Sequence, residues 1–425
     1  MMEPRLPRLL IVADSPDTLT NLGGISLLER LRRMVRQFGF REATILSNSV
    51  ESVAAHLAEA SWHGTDVSLR FREHTGLEVT VGDVQDCLMA VNVSREERLL
   101  VLFGNYYCDA RLLRALAQAQ HDSVLTDSNP PPVIAPLWKG CAQVSCAALL
   151  SSEWLSGKDR DRSLMQNLSS DLTGGRVAAI DSAKQEAYVP DMRRHVRLIF
   201  FPAPSPENRS LAERVLRDTT QKGVLDFPAL VHAPIEKWIV SRLCRTSITP
   251  NQVTLATALL GISVMLLYVF GYLWVGALLA LTVGILDGVD GKLARLKVQT
   301  TKIGKGEHAL DYCIEMSWWA ALAYHFHVSG QVRYAYAIWL VFFVFDVLDR
   351  LAKWSVERKL GRSLDDVSRF DRMVRYVAGR RNIYTWLFAL CLFLGQPAMG
   401  FVLLCGLGIA STTVHIFRAF QIRLR

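Results

Sequence analysis

No Lys, Arg, Asp or Glu occurs between Thr246 and Leu286, a run of 41 residues, and none occurs between Asn382 and Phe417. A helix needs roughly 20 apolar residues to cross a bilayer. The first run is therefore long enough for two crossings, with GYLW (Gly271–Trp274) as the turn. The second breaks at LGQPAMG into two more. Apolar segments at about 312–328 and 334–345 bring the expected crossings to six. The first 220 residues, by contrast, lack any apolar run of crossing length. Arg5–Val12 is too short for a signal peptide, and no small-residue cleavage pattern follows it. No Cys-x2-Cys pair occurs among the eight cysteines, which speaks against a zinc site or a disulfide framework and suits reduced thiols in a cytoplasm. No internal repeat or low-complexity tract is present.

The net charge is +8, but its placement speaks for a membrane rather than nucleic acid. Lys292, Arg295, Lys297, Lys302 and Lys305 lie between crossings two and three. Ten Lys or Arg fall from Arg350 to Arg381, and Arg418, Arg423 and Arg425 follow crossing six. The opposite-side loops hold only Arg333. The positive-inside rule then places both termini, and everything beside those cations, in the cytoplasm. Basic residues interleaved with aromatics on a soluble surface, which nucleic-acid binding needs, are missing.

What stands at the end of the second crossing is LDGVDGKLARL (Leu286–Leu296). Ionisable groups at membrane depth are costly and mark function by default. Asp287 and Asp290 share one helical face. Glu307, Asp311 and Glu315 follow at spacings of four on the next helix, again on one face. Two neighbouring antiparallel helices would point these faces at each other. Several carboxylates cannot stay ionised in a small site unless a cation joins them, and hard oxygen donors suit Mg²⁺ or Mn²⁺. Gly288 and Gly291 would let a large anionic ligand approach the backbone, beside Lys292 and Arg295. The bland alternative is that the aspartates merely pair with those cations.

Asp287-x2-Asp290-Gly291-x2-Ala294-Arg295-x8-Gly304 resembles the signature of the CDP-alcohol phosphotransferase (phosphatidyltransferase) family, and SITPNQVT (Ser247–Thr254) resembles the stretch that opens that family's first membrane helix. The resemblance covers about Leu225–Arg425. The family pattern continues Gly-x3-Asp-x3-Asp, whereas the corresponding positions here hold His308 and Tyr312. Shortening the spacing by one makes Glu307 and Asp311 the pair; lengthening it by three makes it Asp311 and Glu315. The resemblance implies that a hydroxyl attacks the β-phosphorus of a CDP-alcohol and CMP leaves. It assigns Asp287, Asp290 and Glu307 (with Asp311, or Glu315 in the other register) to metal, Asp311 to the general base, and Gly291, Ala294 and Arg295 to the nucleotide. The acceptor would be a lipid or a polyol phosphate, with Arg350, Lys353, Arg380, Arg381 and Arg418 as candidates for its pocket. For Arg350 the competing expectation is an Asp346–Arg350 pair on one helix. Family members are often dimers, so a second copy of the chain is among the implied partners.

The expected fold is an N-terminal α/β nucleotidyltransferase-like domain over residues 1–222, an amphipathic interfacial helix within 223–246, and an all-α six-helix integral membrane domain over 247–425. RLLIVAD, EATILSN and ERLLVLFGNYY read as strands alternating with the helices ISLLERLRRMVRQFGF and DARLLRALAQA, which argues for a mostly parallel sheet. Their order resembles the sugar-nucleotide transferase fold, as in bifunctional inositol-phosphate cytidylyltransferase/phosphotransferases. The Gly-rich loop with Arg and the Pro-Lys of that fold are missing after the first strand. Asn105 stands where a metal-binding Asp is expected. This domain is therefore expected not to activate nucleotides. Asp14 and Asp109 are the residues that would reverse that expectation; the alternatives for them are a strand-end turn and a helix N-cap. In the segment between domains, Ile235, Trp238, Ile239 and Arg242 recur at helical spacing and suit a helix lying on the membrane. Two other function classes compete: a cation-coupled transporter, which would show broken or repeated helices, and a non-catalytic membrane scaffold.

Overall fold

The computed structural model describes residues 6–59, 67–76, 78–89, 98–138, 144–223, 226–299 and 304–424. The chain forms two compact units. The first comprises residues 1–187 and 196–219, and the second residues 188–195 and 220–425.

The first unit is built on a seven-stranded sheet. Its strands are β1 (Arg8–Val12), β2 (Glu42–Ser47), β3 (Ser68–Glu73), β4 (Arg98–Phe103), β5 (Ser123–Thr126), β6 (Val144–Ser151) and β7 (Ala178–Asp181). The order is β7-β5-β6-β4-β1-β2-β3. All pairings are parallel except those of β6, which runs antiparallel to both β4 and β5. The continuous apolar runs of β1 and β4 are buried, as strands covered on both faces must be. Between the strands run α1 (Leu27–Gln37), α2 (Val50–Glu59), α3 (Val81–Met89), α4 (Ala110–Ala117) and α5 (Leu164–Thr173), and α6 (Arg209–Thr219) ends the unit. Ser26 starts α1 by accepting from the Glu29 amide at 3.2 Å, and Asp109 starts α4 in the same way through Arg111 N at 2.9 Å. The alternation legible in the sequence is thus the observed one.

The second unit is helical: α7 (Ala229–Leu243), α8 (Pro250–Val269), α9 (Leu273–Leu296), α10 (Gly304–Val328), α11 (Ala335–Leu360), α12 (Arg369–Val377), α13 (Arg381–Phe393) and α14 (Pro397–Leu424). Proline and capping chemistry set the starts. Thr249 and Gln252 form a reciprocal capping box around Pro250 at the head of α8, which satisfies amides that lipid cannot. Gly271, at φ +81, makes the α8–α9 turn. The core centres on Trp318, Trp319, Phe326, Phe342, Phe388 and Phe401, and Trp318 Nε1 donates to the Gly261 carbonyl at 2.7 Å.

Among the described residues three helices are long and apolar enough to cross a membrane: α8, α9 and α14. The expected count of six included these three. The expected third and fourth crossings fall in α10 and α11, which have the length, and α11 carries seven charged residues. The expected fifth is α13, whose 13 residues span about 20 Å, short of a hydrocarbon core of about 30 Å. A two-stranded antiparallel ribbon, β8 (Tyr188–Val189) and β9 (Arg194–His195), also belongs to this unit.

Candidate active site

The site is assembled where α9 turns from apolar to charged. Asp287 and Asp290 do share a face of α9, but they reach different neighbours. Asp290 Oδ2 accepts from Thr254 Oγ1 of α8 at 2.8 Å. Asp287 Oδ2 lies 2.8 Å from Arg381 Nη2, at the head of α13. That guanidinium is largely buried, and Glu315 and Asp311 of α10 are the other carboxylates acting on its charge. Helix α8 packs against both α9 and α10, and α13 packs against α9. The side chain of Glu307 lies outside the described residues.

The two motif glycines meet different neighbours. A side chain on Gly288 would collide with the Glu236 carboxylate at 2.4 Å. Glu236, on α7, is held by Lys292 at 2.5 Å. Gly288 thus lets α7 dock closely on α9, and Lys292 bonds the Glu236 carboxylate there. Gly291 faces the Arg295 guanidinium, 3.4 Å from where a Cβ would stand. Arg295 Nε donates to the Thr220 carbonyl at 2.9 Å, and Asp290 and Glu236 are the acids acting on it. The Ala294 carbonyl accepts from the Gln299 amide at 2.8 Å, closing the end of α9.

Each of the five cations considered for an acceptor pocket has a carboxylate partner. Arg350 pairs with Asp346 on its own helix at 3.1 Å, which is the bland expectation for that residue, and stacks over the Tyr312 ring at 3.8 Å. Lys353 pairs with Asp349 at 2.8 Å and with Asp365 at 3.6 Å. Arg380 reaches Asp226 at 3.5 Å, Arg381 binds Asp287, and Arg418 grips Asp371 through two nitrogens at 2.8 and 3.0 Å. His415 bonds Asp349 at 2.6 Å. The partners Asp226, Glu236, Asp365, Asp366 and Asp371 were not foreseen. The available signal, for three of them, was the aspartates that lie with Glu357 among the ten cations from Arg350 to Arg381.

Asp365 is the hub of that loop. Arg375 and Arg193 share its carboxylate, the latter at 3.5 Å, together with Lys353. Burial alone would raise its pKa, but Lys353, Arg375 and Arg193 outweigh burial and hold it well below the usual carboxylate range. Arg375 is pushed down to about 9 by burial and by Arg380. Tyr188 donates to Asp366, and burial and that bond push its phenol up to about 12.

Metal-binding capacity depends on the donors. Among the described residues no group of three or more His, Cys, Asp or Glu gathers as a ligand set. The chemistry of the donors nonetheless fits a hard divalent cation: they are carboxylates, and Asp287 already holds a positive charge, the Arg381 guanidinium at 2.8 Å.

In the first unit, Asp109 caps α4 and also binds Arg111 at 2.8 Å. Asn105 lies in the turn after β4, where its carbonyl accepts from the Ala203 amide at 2.8 Å. Asp14 follows β1, with burial raising its pKa.

Residues 247–311 match the CDP-alcohol phosphatidyltransferase family. That segment holds α8, α9, both motif aspartates and Asp311. Two curated proteins, both called bifunctional IPC transferase and DIPP synthase, are similar to the chain. The one from Aquifex aeolicus is 29% identical over 207 residues, 47% of this chain and 46% of the relative. The one from Thermococcus kodakarensis is 38% identical over 124 residues, 28% of each. The chain thus spans less than half the length of the curated relatives it matches. Among solved structures, an inositol-1-phosphate CTP transferase from T. maritima has a TM-score of 0.35 at 12% identity, covering 49% of this chain and 96% of that one. Mycobacterium tuberculosis phosphatidylinositol phosphate synthase, solved with CDP-DAG, has a TM-score of 0.34 at 18% identity, covering 45% and 94%.

Proposed function

We propose that the second unit is a membrane phosphotransferase that moves a phosphoalcohol group from a CDP-alcohol to an acceptor hydroxyl, in inositol-phosphate or phospholipid synthesis. The observation that carries this reading is Asp287-x2-Asp290-Gly291-x2-Ala294-Arg295 on one helix, inside the family-matched segment, with Arg381 paired to Asp287. In the reaction, the acceptor oxygen forms a bond to the β-phosphorus, the bond from that phosphorus to the CMP oxygen breaks, and CMP leaves. Asp311 takes the hydroxyl proton. Arg295 and Gly291 hold the nucleotide phosphates. Mg²⁺ or Mn²⁺, held by Asp287, Asp290 and Asp311 with Glu307 or Glu315, would neutralise pyrophosphate charge.

The protein is read as multi-pass with both termini cytoplasmic, on the strength of its loop cations. Helix α7 is read as interfacial: Val231, Ile235 and Trp238 are exposed while His232, Glu236 and Val240 are buried. The first unit is read as inactive in nucleotide activation. Asn105 is a poor metal ligand, and Asp109 is taken up by its helix cap. CMP release from CDP-inositol or CDP-diacylglycerol with Mg²⁺, across a panel of lipid and polyol-phosphate acceptors, tests the main reading. Release in the wild type, lost in D290N and D311N, is the expected result. No CMP from any donor–acceptor pair would instead favour a scaffold.

A further inference from the structure

Helix α12 is built inside out. Its charged Asp371 and Arg375, one turn apart, are buried, whereas Phe370, Met373, Tyr376 and Val377 are exposed; Asp371 is 1% exposed and Met373 61%. The exposed apolar residues recur at spacings of three and four, so they share one face, and Arg369 and Arg372 are exposed beside them on the first turn. In water a surface helix turns its apolar stripe to the core and its charges outward. The reverse arrangement suits an apolar medium outside and paired charges within. Both buried charges are paired, Arg375 with Asp365 and Asp371 with Arg418.

The Arg418 pair also fixes the depth of the helix. Arg418 is the first charged residue after the run from Asn382 to Phe417, so it stands where the apolar length of α14 ends. Its guanidinium lies 5.8 Å from the centre of the Phe370 ring. At the other end, three residues join α12 to Arg381, the last cation before the same run. Helix α12 is therefore held between two points at which charged chain gives way to apolar chain. Its nine residues span about 14 Å, too short to cross a hydrocarbon core of about 30 Å. Beside it, the Phe227 amide donates to the Tyr376 carbonyl at 2.9 Å, and the two rings meet edge to face at 6.1 Å. Phe227 is exposed, as are Leu230, Val231 and Trp238 of α7, so the exposed apolar faces of α7 and α12 adjoin at that contact.

We infer that α12 is a second interfacial helix, seated beside α7 at the boundary between lipid headgroups and acyl chains, and that the partner of its exposed face is phospholipid. Phe370, Met373, Tyr376 and Val377 enter the acyl edge, while Arg369 and Arg372 reach toward the phosphates. The segment that brings Arg381 to Asp287 thereby rests on the bilayer surface instead of crossing the cytoplasm as a free loop. This inference rests on the membrane reading of the second unit proposed above and not on the reaction assigned to it. A second copy of the chain is the competing occupant of the same face.

The test uses the full chain in phosphatidylcholine–phosphatidylglycerol vesicles, with the exposed Cys313 replaced by serine and one nitroxide label at a time. Labels at M373C and V377C probe the face. L266C, at an exposed position of α8, is the hydrocarbon reference, and E51C, at an exposed position of the first unit, is the aqueous one. The ratio of collision with oxygen to collision with a water-soluble nickel chelate reads the depth of each label. At 373 and 377 that ratio is expected to exceed the one at 51 by about fivefold or more, on the side of 266, as burial in the interface requires. A ratio at 373 and 377 equal to that at 51 overturns the inference. Low collision with both reagents, with spectra that broaden as the protein-to-lipid ratio rises, would put a second copy on this face and overturn it equally. A label at 266 that also reads as aqueous would instead sink the membrane reading on which the inference rests.

Discussion

Asp109 in the first unit and Asp365 in the second are both engaged by arginine, but over very different distances along the chain. Asp109 caps the helix that follows it and binds Arg111, two residues away. Asp365 is shared by Arg193, Lys353 and Arg375, from three separate elements. In the sheet unit, then, a carboxylate that sequence order places near a nucleotide-type site is taken up by local structure. In the helical unit, carboxylates tie distant parts of the chain together around the motif helix.

The sharpest way to test that contrast is activity. D290N is expected to lower CMP release by about 10²- to 10³-fold, the scale seen when one fixed electrostatic contact to a transition state is removed, while D109N leaves it within about twofold. A comparable loss in D109N, measured with a defined CDP-alcohol, would break the contrast. The next largest effect is on stability. D365A leaves buried cations uncompensated and should cost about 3–5 kcal/mol, read from denaturant or thermal unfolding in detergent. Acid should mimic it. The folded pKa of Asp365 is depressed, so its stabilisation is complete above the unfolded value of about 3.9 and is lost as pH falls through the lower folded value. D109A should cost only about 1 kcal/mol, as the loss of a helix cap does. Smallest of all, R350Q removes a half-exposed Asp346 pair and should change stability by under about 0.5 kcal/mol. A larger activity change in R350Q would then report a ligand contact.

The same distinction explains what could be read in advance. Strands β1, β2 and β4 and helices α1 and α4 were legible because periodic apolar runs, serine and aspartate caps and turn glycines act within a few residues. The motif on α9 was legible because its residue types and spacing are local as well. The roles of Gly288 and Lys292 were not, since both depend on Glu236, 56 residues before Lys292. Nor were the partners of Arg418 and Lys353, which reach aspartates in a loop whose ten cations drew attention to topology. The fifth expected crossing shows a related effect. Apolar length was measured along the chain, whereas the 13 residues of α13 begin at Arg381, drawn to Asp287.

The assignment of residues 188–195 to the helical unit has a practical consequence. The chain passes between its two compact bodies three times, at 187/188, 195/196 and 219/220. No single protease nick or truncation point can therefore separate them cleanly. A fragment beginning at Thr220 would lack the ribbon whose Tyr188 and Arg193 meet Asp366 and Asp365. Dissecting the molecule would require supplying that eight-residue loop in trans or splicing it onto the new amino terminus.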